Sequence, residues 1–556
     1  MTTNAAFSVA RAAGKIPTDR PFGKDMANNA FLTAYLATTP HEDLFLYAPV
    51  AGAAEKYREV LASLTQRRFK THFLGLDSQQ RLSEPGCLMH LDPHLGRDAW
   101  DRRRIGQRSY SIAALIHTMA GPFNLDSHME TVFGPVQSWD ALVCTSRAVR
   151  KTVEMVFERW HAYLADRFGA TRQPMPQLPI LPLGVDVAKF RRTEARAAAG
   201  RAWRQRLGIA DDTMAVLYLG RLSYVEKAHP TPMFMALEQA ARASGRRMHA
   251  ILAGWFPMPE HEAAFREAAR IYAPSVGLSL VDARIEPAKT EIWHAADVFA
   301  SLVDNIQETF GLAPVEAMAA GLPVVVSDWD GYRDTVRDGE DGFRIATVAP
   351  PGGTGSALPL GNAGLNESFQ RYVGMAALMT AVDVPRAAAA FAALATNRDL
   401  RQRMAASAAR RGAEVFDWPV VMEQYRALWS DLAARRVRDS ENAPRRSEHA
   451  HEPRVEDPFR LYGHFATRQL AGEMVIGLPP AGAGTPVAAI ARSTLNTLAD
   501  RHFLRAPEQQ VVLDMLGRGP QPISALAAAV PPARRAAAYR WLGHLLKFDA
   551  VRILDG

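Results

Sequence analysis

Cysteine is almost missing from this chain. Its 556 residues hold 2, Cys87 and Cys144. Two thiols build no disulfide framework and lack the spacing of a metal site, so the expectation is a reducing compartment with both thiols in the core. Lysine is scarce too, with 9 against 56 arginines in a chain of net charge +7. No block of about five or six like charges occurs, so the excess reads as a basic surface open to phosphorylated ligands or anionic membranes, not as a nucleic-acid tract. Long apolar runs are absent as well. Stretches such as AAAAFAALA (387–395) fall far short of a membrane span, which takes roughly 20 residues. The opening MTTNAAFSVARAAGK has no apolar core of signal-segment length. The expectation is a soluble cytoplasmic protein, with peripheral attachment at the inner membrane face left open.

What is present is globular in composition, 48% hydrophobic and 22% charged. At about 150 residues per domain the length suggests roughly three or four domains. Apolar runs near 6–10, 43–49, 71–76, 87–92, 111–119 and 140–146 alternate with amphipathic stretches such as 53–66 and 147–167. Continuous apolar strands between helices indicate a parallel sheet covered on both faces, an α/β doubly wound domain over 1–185. The segment 178–190 reads as a strand leading into an interdomain connection. A second alternating set follows, with strands at 214–220, 249–254, 278–282, 298–303 and 323–327 and helices at 232–244, 260–272 and 312–320. This is a second Rossmann-like unit over 186–436, containing a Gly/Pro-rich loop at 349–366, helices near 369–382, 384–395 and 398–414, and a terminal helix at 416–436. Two such units leave a cleft between them, with ligands at the carboxyl ends of the strands. The polar stretch 437–456 reads as a linker and 457–556 as a small accessory domain.

The densest chemistry lies in ETFGLAPVEAMAAGLPVVVSDWDG (308–331). Glu308 falls in a loop after a strand and Glu316 about two turns into the next helix, which begins near Leu312 after Thr309, Phe310 and Gly311. The free N–H groups at that helix start suit a phosphate, Gly311 lets backbone approach a ligand, and the two carboxylates suit sugar hydroxyls. A second motif, YLGRLSYVEKAHP (218–230), follows the first strand of its unit with Gly220, Arg221 and Lys227. Lysine's scarcity, 9 in the chain, sets Lys227 apart.

These segments resemble the signature of retaining GT-B glycosyltransferases of the large family-4 group. The resemblance implies two Rossmann-like domains facing across a cleft and a nucleoside diphosphate sugar, of UDP or GDP type, as donor and co-substrate. It implies a hexosyltransferase with no metal and no further cofactor. By it, Glu308 contacts the transferred sugar and Glu316 the ribose, with Phe310, Gly311 and Leu312 lining the pocket through their backbone. Arg221 and Lys227 clamp the diphosphate beside Gly220, with Ala228 standing where the family usually has glycine. SIAALIHTMA (111–120) resembles the strand whose terminal histidine faces the donor sugar, which points to His117. WDALVCTSRAVRKTV (139–153) and ILPLGVDVAKF (180–190) resemble architectural segments, with Ser146 and Arg147 candidates for lining the cleft. The final helix resembles one that crosses back onto the first domain. The likeness is good over 110–435 and poor at the start, where ARAAGKIPTDRPFGKDMANNA stands in place of a Gly-Gly acceptor loop and Gly23 with Lys24 is the substitute.

Other signals are set aside. Asp328 and Asp330 form a carboxylate pair in a turn, read as non-metal. GGTGS (352–356) lacks the third glycine of a dinucleotide fingerprint. In the accessory domain, helices near 507–517, 523–529 and 532–547 and a strand at 550–554 resemble a winged helix. Arg534, Arg535, Arg540 and Lys547 lie on or near its last helix, but Ala536, Ala537, Ala538, Trp541, Leu542, Leu545 and Leu546 leave few base-reading positions. DNA is disfavoured there against self-association or another protein contact.

The sequence therefore reads as a retaining transferase acting on an acceptor hydroxyl of a glycan, glycolipid or protein, in surface polysaccharide, glycolipid or protein glycosylation. Two rivals stay open. One is a non-catalytic sugar-nucleotide sensor that signals through its accessory module. The other is a sugar-nucleotide epimerase on the same fold.

Overall fold

The first alternating set forms one sheet in a computed structural model of the chain. The structure describes every residue except 1–3, 10–22, 51, 285, 364–366, 443, 447–448 and 555–556. Strands β1 (Ala6–Ser8), β2 (Asp43–Tyr47), β3 (Lys70–Leu74), β4 (Cys87–His90), β5 (Ser111–Leu115) and β6 (Ala141–Val143) lie in the order β3-β2-β1-β4-β5-β6. Every pairing is parallel. Helices cover both faces, so β4, β5 and β6 are buried along their length and apolar but for His90 and Ser111, Cys87 among the buried residues. Cys144 is buried just beyond β6, and burial pushes both thiols up to about 12. Two helices frame this lobe's carboxyl edge. Helix α1 (Gly23–Thr38) precedes β2, and α2 (Arg147–Phe168) follows β6. Ser146 caps α2 by accepting from the Val149 N–H at 3.1 Å, and Gly169 ends it in the left-handed region.

The second set repeats the plan. Strands β7 (Met214–Arg221), β8 (Met248–Trp255), β9 (Gly277–Asp282), β10 (Val298–Ser301), β11 (Val324–Ser327) and β12 (Gly342–Ile345) form a parallel sheet in the order β12-β11-β10-β7-β8-β9. The strand order reverses between β7 and β10, and the crevice beyond their carboxyl ends is the place for a ligand. Helix α3 (Leu312–Ala319) starts from that crevice. Strand β12 was absent from the sequence expectations, because Gly342 and Arg344 break its apolar run. A short antiparallel pair, β13 (Thr347–Val348) with β14 (Ala381–Val382), flanks this lobe.

The chain passes between the lobes twice at one place. The Val185 N–H donates to the Phe416 carbonyl at 2.8 Å, and the Trp418 N–H donates to the Val185 carbonyl at 3.1 Å. Helix α4 (Trp418–Arg438) then packs on the first lobe. Phe31 meets Trp418 and Tyr425 edge-on at 5.8 and 4.7 Å, and Tyr35 meets Trp429 at 6.0 Å. This is the helix that the resemblance has crossing back.

Several local expectations need correction. The stretch 178–190 holds isolated bridges, Cys144 to Ile180 and Val185 to Asp417, and no strand beyond them. The Gly/Pro-rich stretch 349–366 contains a helix, Ala357–Ala363, and its last three residues lie outside the described ones. The helix placed at 369–382 ends at Leu378 and gives way to β14. The polar stretch 437–456 is not a free linker along its whole length. Asn442 and Gln137 exchange bonds of 2.8 and 3.0 Å, Ser138 donates to Asp439 at 2.7 Å, and Arg103 donates to the His451 carbonyl at 3.2 Å. Low apolar content signals solvation in a sequence, whereas these groups satisfy one another.

The chain divides into two compact units, Met1–Glu452 and Pro453–Gly556. The second unit has helices α5 (Ala506–Gly517), α6 (Ile523–Ala528) and α7 (Arg535–Lys547). They pack on an antiparallel sheet of β15 (Val475–Gly477), β16 (Gln521–Pro522) and β17 (Arg552–Ile553). Ile476, Val512, Ile523, Trp541 and Leu542 form its core. Arg534 is bound to Glu508 and to the Phe503 carbonyl, and Arg540 to the His502 carbonyl, so two of the four basic groups on or near α7 already have partners inside the unit. Among the described residues, no helix is long and apolar enough to cross a membrane.

Candidate functional site

Both halves of the second lobe's crevice come from the strand-order reversal. Strand β7 delivers Gly220 and Arg221 at its carboxyl end, and the loop after β10 delivers Glu308. Asn305 joins the two. Its side-chain amide donates to the Val225 carbonyl at 2.9 Å and its side-chain oxygen accepts from the Gln307 N–H at 3.0 Å. Its own carbonyl accepts from the Glu308 N–H at 3.2 Å and from the Trp329 indole at 3.1 Å. The loop carrying Lys227 and the loop carrying Glu308 are therefore joined through Asn305. Lys227 Nζ stands 3.6 Å from Glu308 Oε2, and Arg221 is paired with Glu226 at 3.1 Å.

Gly311 opens α3 with φ +92° and no side-chain cap, which leaves the helix's first N–H groups to other acceptors. The sequence argument gave ligand approach as the reason for glycine here. Packing adds another, since a Cβ would lie 2.1 Å from the Tyr332 ring. Leu312 is the first residue of α3 and is partly buried against the core. The ring of Phe310 is buried and packs edge-on to Phe416 at 6.0 Å. Glu316 lies one turn into α3, not two. Burial raises its carboxyl from 4.5 to about 7, against the pull of Lys189 and Lys289. Those two lysines were missed, although lysine's rarity was a signal that pointed to them as much as to Lys227.

Two more acids at this edge behave alike. Burial pushes Asp304 up to about 7, opposed by the His229 N–H. Burial also raises Asp330 to about 7, opposed by a bond from Ser146 and reinforced by Glu308 and Asp334. Carboxylates held near neutrality in a crevice are a recognised mark of functional sites.

The first lobe meets this edge through hydrogen bonds at His117, Thr145, Ser146 and Arg147. Thr309 donates its hydroxyl to the His117 carbonyl at 2.7 Å and accepts from the Thr145 hydroxyl at 3.3 Å. Ser146 donates to Asp330 at 2.9 Å, and the Arg147 N–H donates to Asp334 at 2.7 Å. Ser146 and Arg147 thus bridge the lobes. His117, two residues past β5, has Nε2 2.7 Å from the Asn28 side-chain oxygen, and Asn28 donates to the Leu91 carbonyl at 3.3 Å. Burial, then the nearby Lys24 ammonium, lowers His117 to about 4, so the ring is neutral at pH 7. Lys24 is ion-paired with the buried Asp92. Gly23 opens α1, and a Cβ there would meet nothing within 4 Å, so packing does not require glycine. Residues 10–22 of the expected acceptor loop lie outside the described residues.

Residues 200–350 match the family model described as glycosyl transferases group 1. The stretch takes in β7, both crevice loops and α3. A D-inositol 3-phosphate glycosyltransferase of Nocardia farcinica is 31% identical over 187 residues, 33% of this chain and 38% of that protein. A phosphatidyl-myo-inositol mannosyltransferase of Mycobacterium leprae is 32% identical over 149 residues, 27% of this chain and 30% of that protein. The match thus spans well under two thirds of these curated relatives. Among solved structures, Anabaena HepE in complex with UDP and glucose is 13% identical, with 77% of this chain and 99% of that chain covered and a TM-score of 0.48.

Proposed function

We propose that this protein is a retaining glycosyltransferase that moves a sugar from a nucleoside diphosphate sugar to an acceptor hydroxyl. The observation that carries the reading is the Lys227–Glu308 pair at 3.6 Å, set beside the open start of α3 within the segment that matches the group 1 family. A cation next to a carboxylate suits the two halves of such a donor, phosphate and sugar.

In this reading Glu308 holds the transferred sugar and Glu316 the ribose. The α3 N–H groups from Leu312 onward take up the diphosphate with Arg221, Lys227 and the backbone at Gly220. Phe310 and Gly311 contribute backbone, and His117 lies against the sugar as a neutral ring. The bond from the anomeric carbon to the leaving phosphate oxygen breaks, and its electron pair stays on that oxygen. The acceptor hydroxyl attacks from the same face and passes its proton to the same oxygen. Growing phosphate charge meets cations already in place. Arg221 and Lys227 supply that charge without a metal, so a chelator leaves turnover unchanged. The acceptor enters from the first lobe near Lys24 and Gly23. The curated relatives' names carry inositol acceptors, which makes inositol phosphates the first acceptors to try.

The test is a panel of UDP-, GDP- and ADP-sugars screened for nucleotide release, with and without acceptor, beside Glu308→Ala and Arg221→Ala. Release from one donor that disappears in both variants supports the reading, and stereochemistry of the product checks retention. Donor binding without release under every acceptor condition removes it in favour of a sensor.

A further inference from the structure

We propose that Asp330 is a positioning residue for the transfer: its carboxylate ties the first lobe, at Ser146, to the turn that supports the second lobe's donor loop. The inference rests on the transferase reading of Glu308.

Three observations carry it. First, Asp330 adopts φ +39°, a region where a residue other than glycine is strained. Asp549 is the other described non-glycine residue with positive φ, and it lies in the second compact unit. Second, Ser146 is tied on both sides. Its hydroxyl accepts from the Val149 N–H at 3.1 Å as the cap of α2 and donates to Asp330 at 2.9 Å. Third, the turn lies directly beneath the donor loop. A Cβ on the next residue, Gly331, would fall 2.4 Å from the Phe310 Cα and the Thr309 carbonyl oxygen. Whatever sets Asp330 therefore sets the backbone between Glu308 and α3. Thr145, Thr309 and the Arg147–Asp334 bond brace the same seam.

A glycine at 330 would satisfy the backbone at no strain. The carboxylate is instead half-buried near Glu308 and Asp334, two further acids. Both features disfavour the folded state locally, and what they bring is one bond across the cleft.

The test uses the full chain with Asp330→Gly, which relieves the strain and removes the tie together. The melting temperature is expected to hold or rise. The kcat with the donor that wild type uses is expected to fall roughly 10- to 100-fold, as misplacement of about an ångström does elsewhere. Nucleoside diphosphate affinity by calorimetry should change much less. Asp330→Asn, which keeps a side-chain acceptor, should restore most of kcat. Hydrogen exchange over 305–311 and 145–149 should rise together in Asp330→Gly. Unchanged kcat with unchanged exchange overturns the proposal, as does a loss of kcat that follows a loss of melting temperature. If wild type neither binds a nucleotide nor releases one, the transferase reading falls and the tie is judged on exchange alone. Unchanged exchange then removes it.

Discussion

The two edges of the parallel sheets treat acids differently. At the amino edge, the aspartates that precede strands are matched by arginine. Asp140, just before β6, is fully buried with Arg102, whose Nη2 lies 2.7 Å away, and it also accepts from the Ile112 and Gln137 N–H groups at 3.0 and 2.8 Å. Asp341, just before β12, takes Arg337 at 2.7 Å and Ser407 at 3.0 Å. Asp297, just before β10, takes Arg204 at 3.0 Å. At the carboxyl edge of the second lobe, Asp304, Glu316 and Asp330 are all pushed up to about 7, mainly by burial. An acid whose charge is met by the protein serves the fold. An acid that burial keeps half-charged at pH 7 is of the kind found at functional sites.

The contrast breaks most visibly at the amino edge. Asp140→Ala leaves Arg102 buried without its counter-charge, and such a loss costs about 3–5 kcal/mol. Calorimetry should show the transition of the Met1–Glu452 unit falling well below wild type while that of the Pro453–Gly556 unit stays. At the carboxyl edge the effect should appear in rate and not in stability. Arg221→Ala should lower turnover by roughly 10²–10³ with little change in melting temperature, as loss of a charge-stabilising donor does. A melting temperature that falls in step with turnover would place Arg221 with the amino-edge arginines.

A smaller effect concerns pH. Glu316 titrates near 7 in the folded chain against 4.5 for its ordinary value. The folded state holds that proton more tightly, so the contribution is complete below the unfolded value and is lost as the pH rises through about 7. Melting temperature should fall from about pH 5 to pH 8, and Glu316→Gln should flatten that fall. The gain at pH 8 is on the order of 1–2 kcal/mol, because the side chain keeps some contact with solvent. Nucleotide affinity should drop in the same variant. The smallest effect belongs to Arg247→Ala, which breaks an exposed pair with Asp212. Neither melting temperature nor turnover should move measurably.

Much of this was legible in the sequence where the signal is local. The apolar runs of β4, β5, β7, β10 and β11 place both sheets, and α3 starts where its glycine and the residues before it put it. Strand β12 escaped because a polar edge strand has no continuous run. The helix within 349–366 escaped because Pro359 and Gly361 lie inside it. Of the candidate site, Glu308, Lys227 and Arg221 sit on short motifs that can be read locally, and the structure brings Lys227 and Glu308 together. Asp330 was weighed only as a metal ligand, because its partner Ser146 lies 184 residues away and no local pattern joins them. The positions of Lys189 and Lys289 about Glu316 likewise depend on how distant segments fold together.

The paired crossing at Val185 and Trp418 bears on the order in which the chain can be built. The first lobe draws on residues before 185 and on α4, with the whole second lobe inserted between them. During synthesis, Phe7, Phe31 and Tyr35 wait for Trp418, Tyr425 and Trp429, the rings they finally pack against. The second lobe has left the ribosome by then, its two ends already close enough to hydrogen-bond. The lobe that begins first is thus the lobe that closes last, and a chain halted near 416 would carry a finished second lobe beside an open aromatic face.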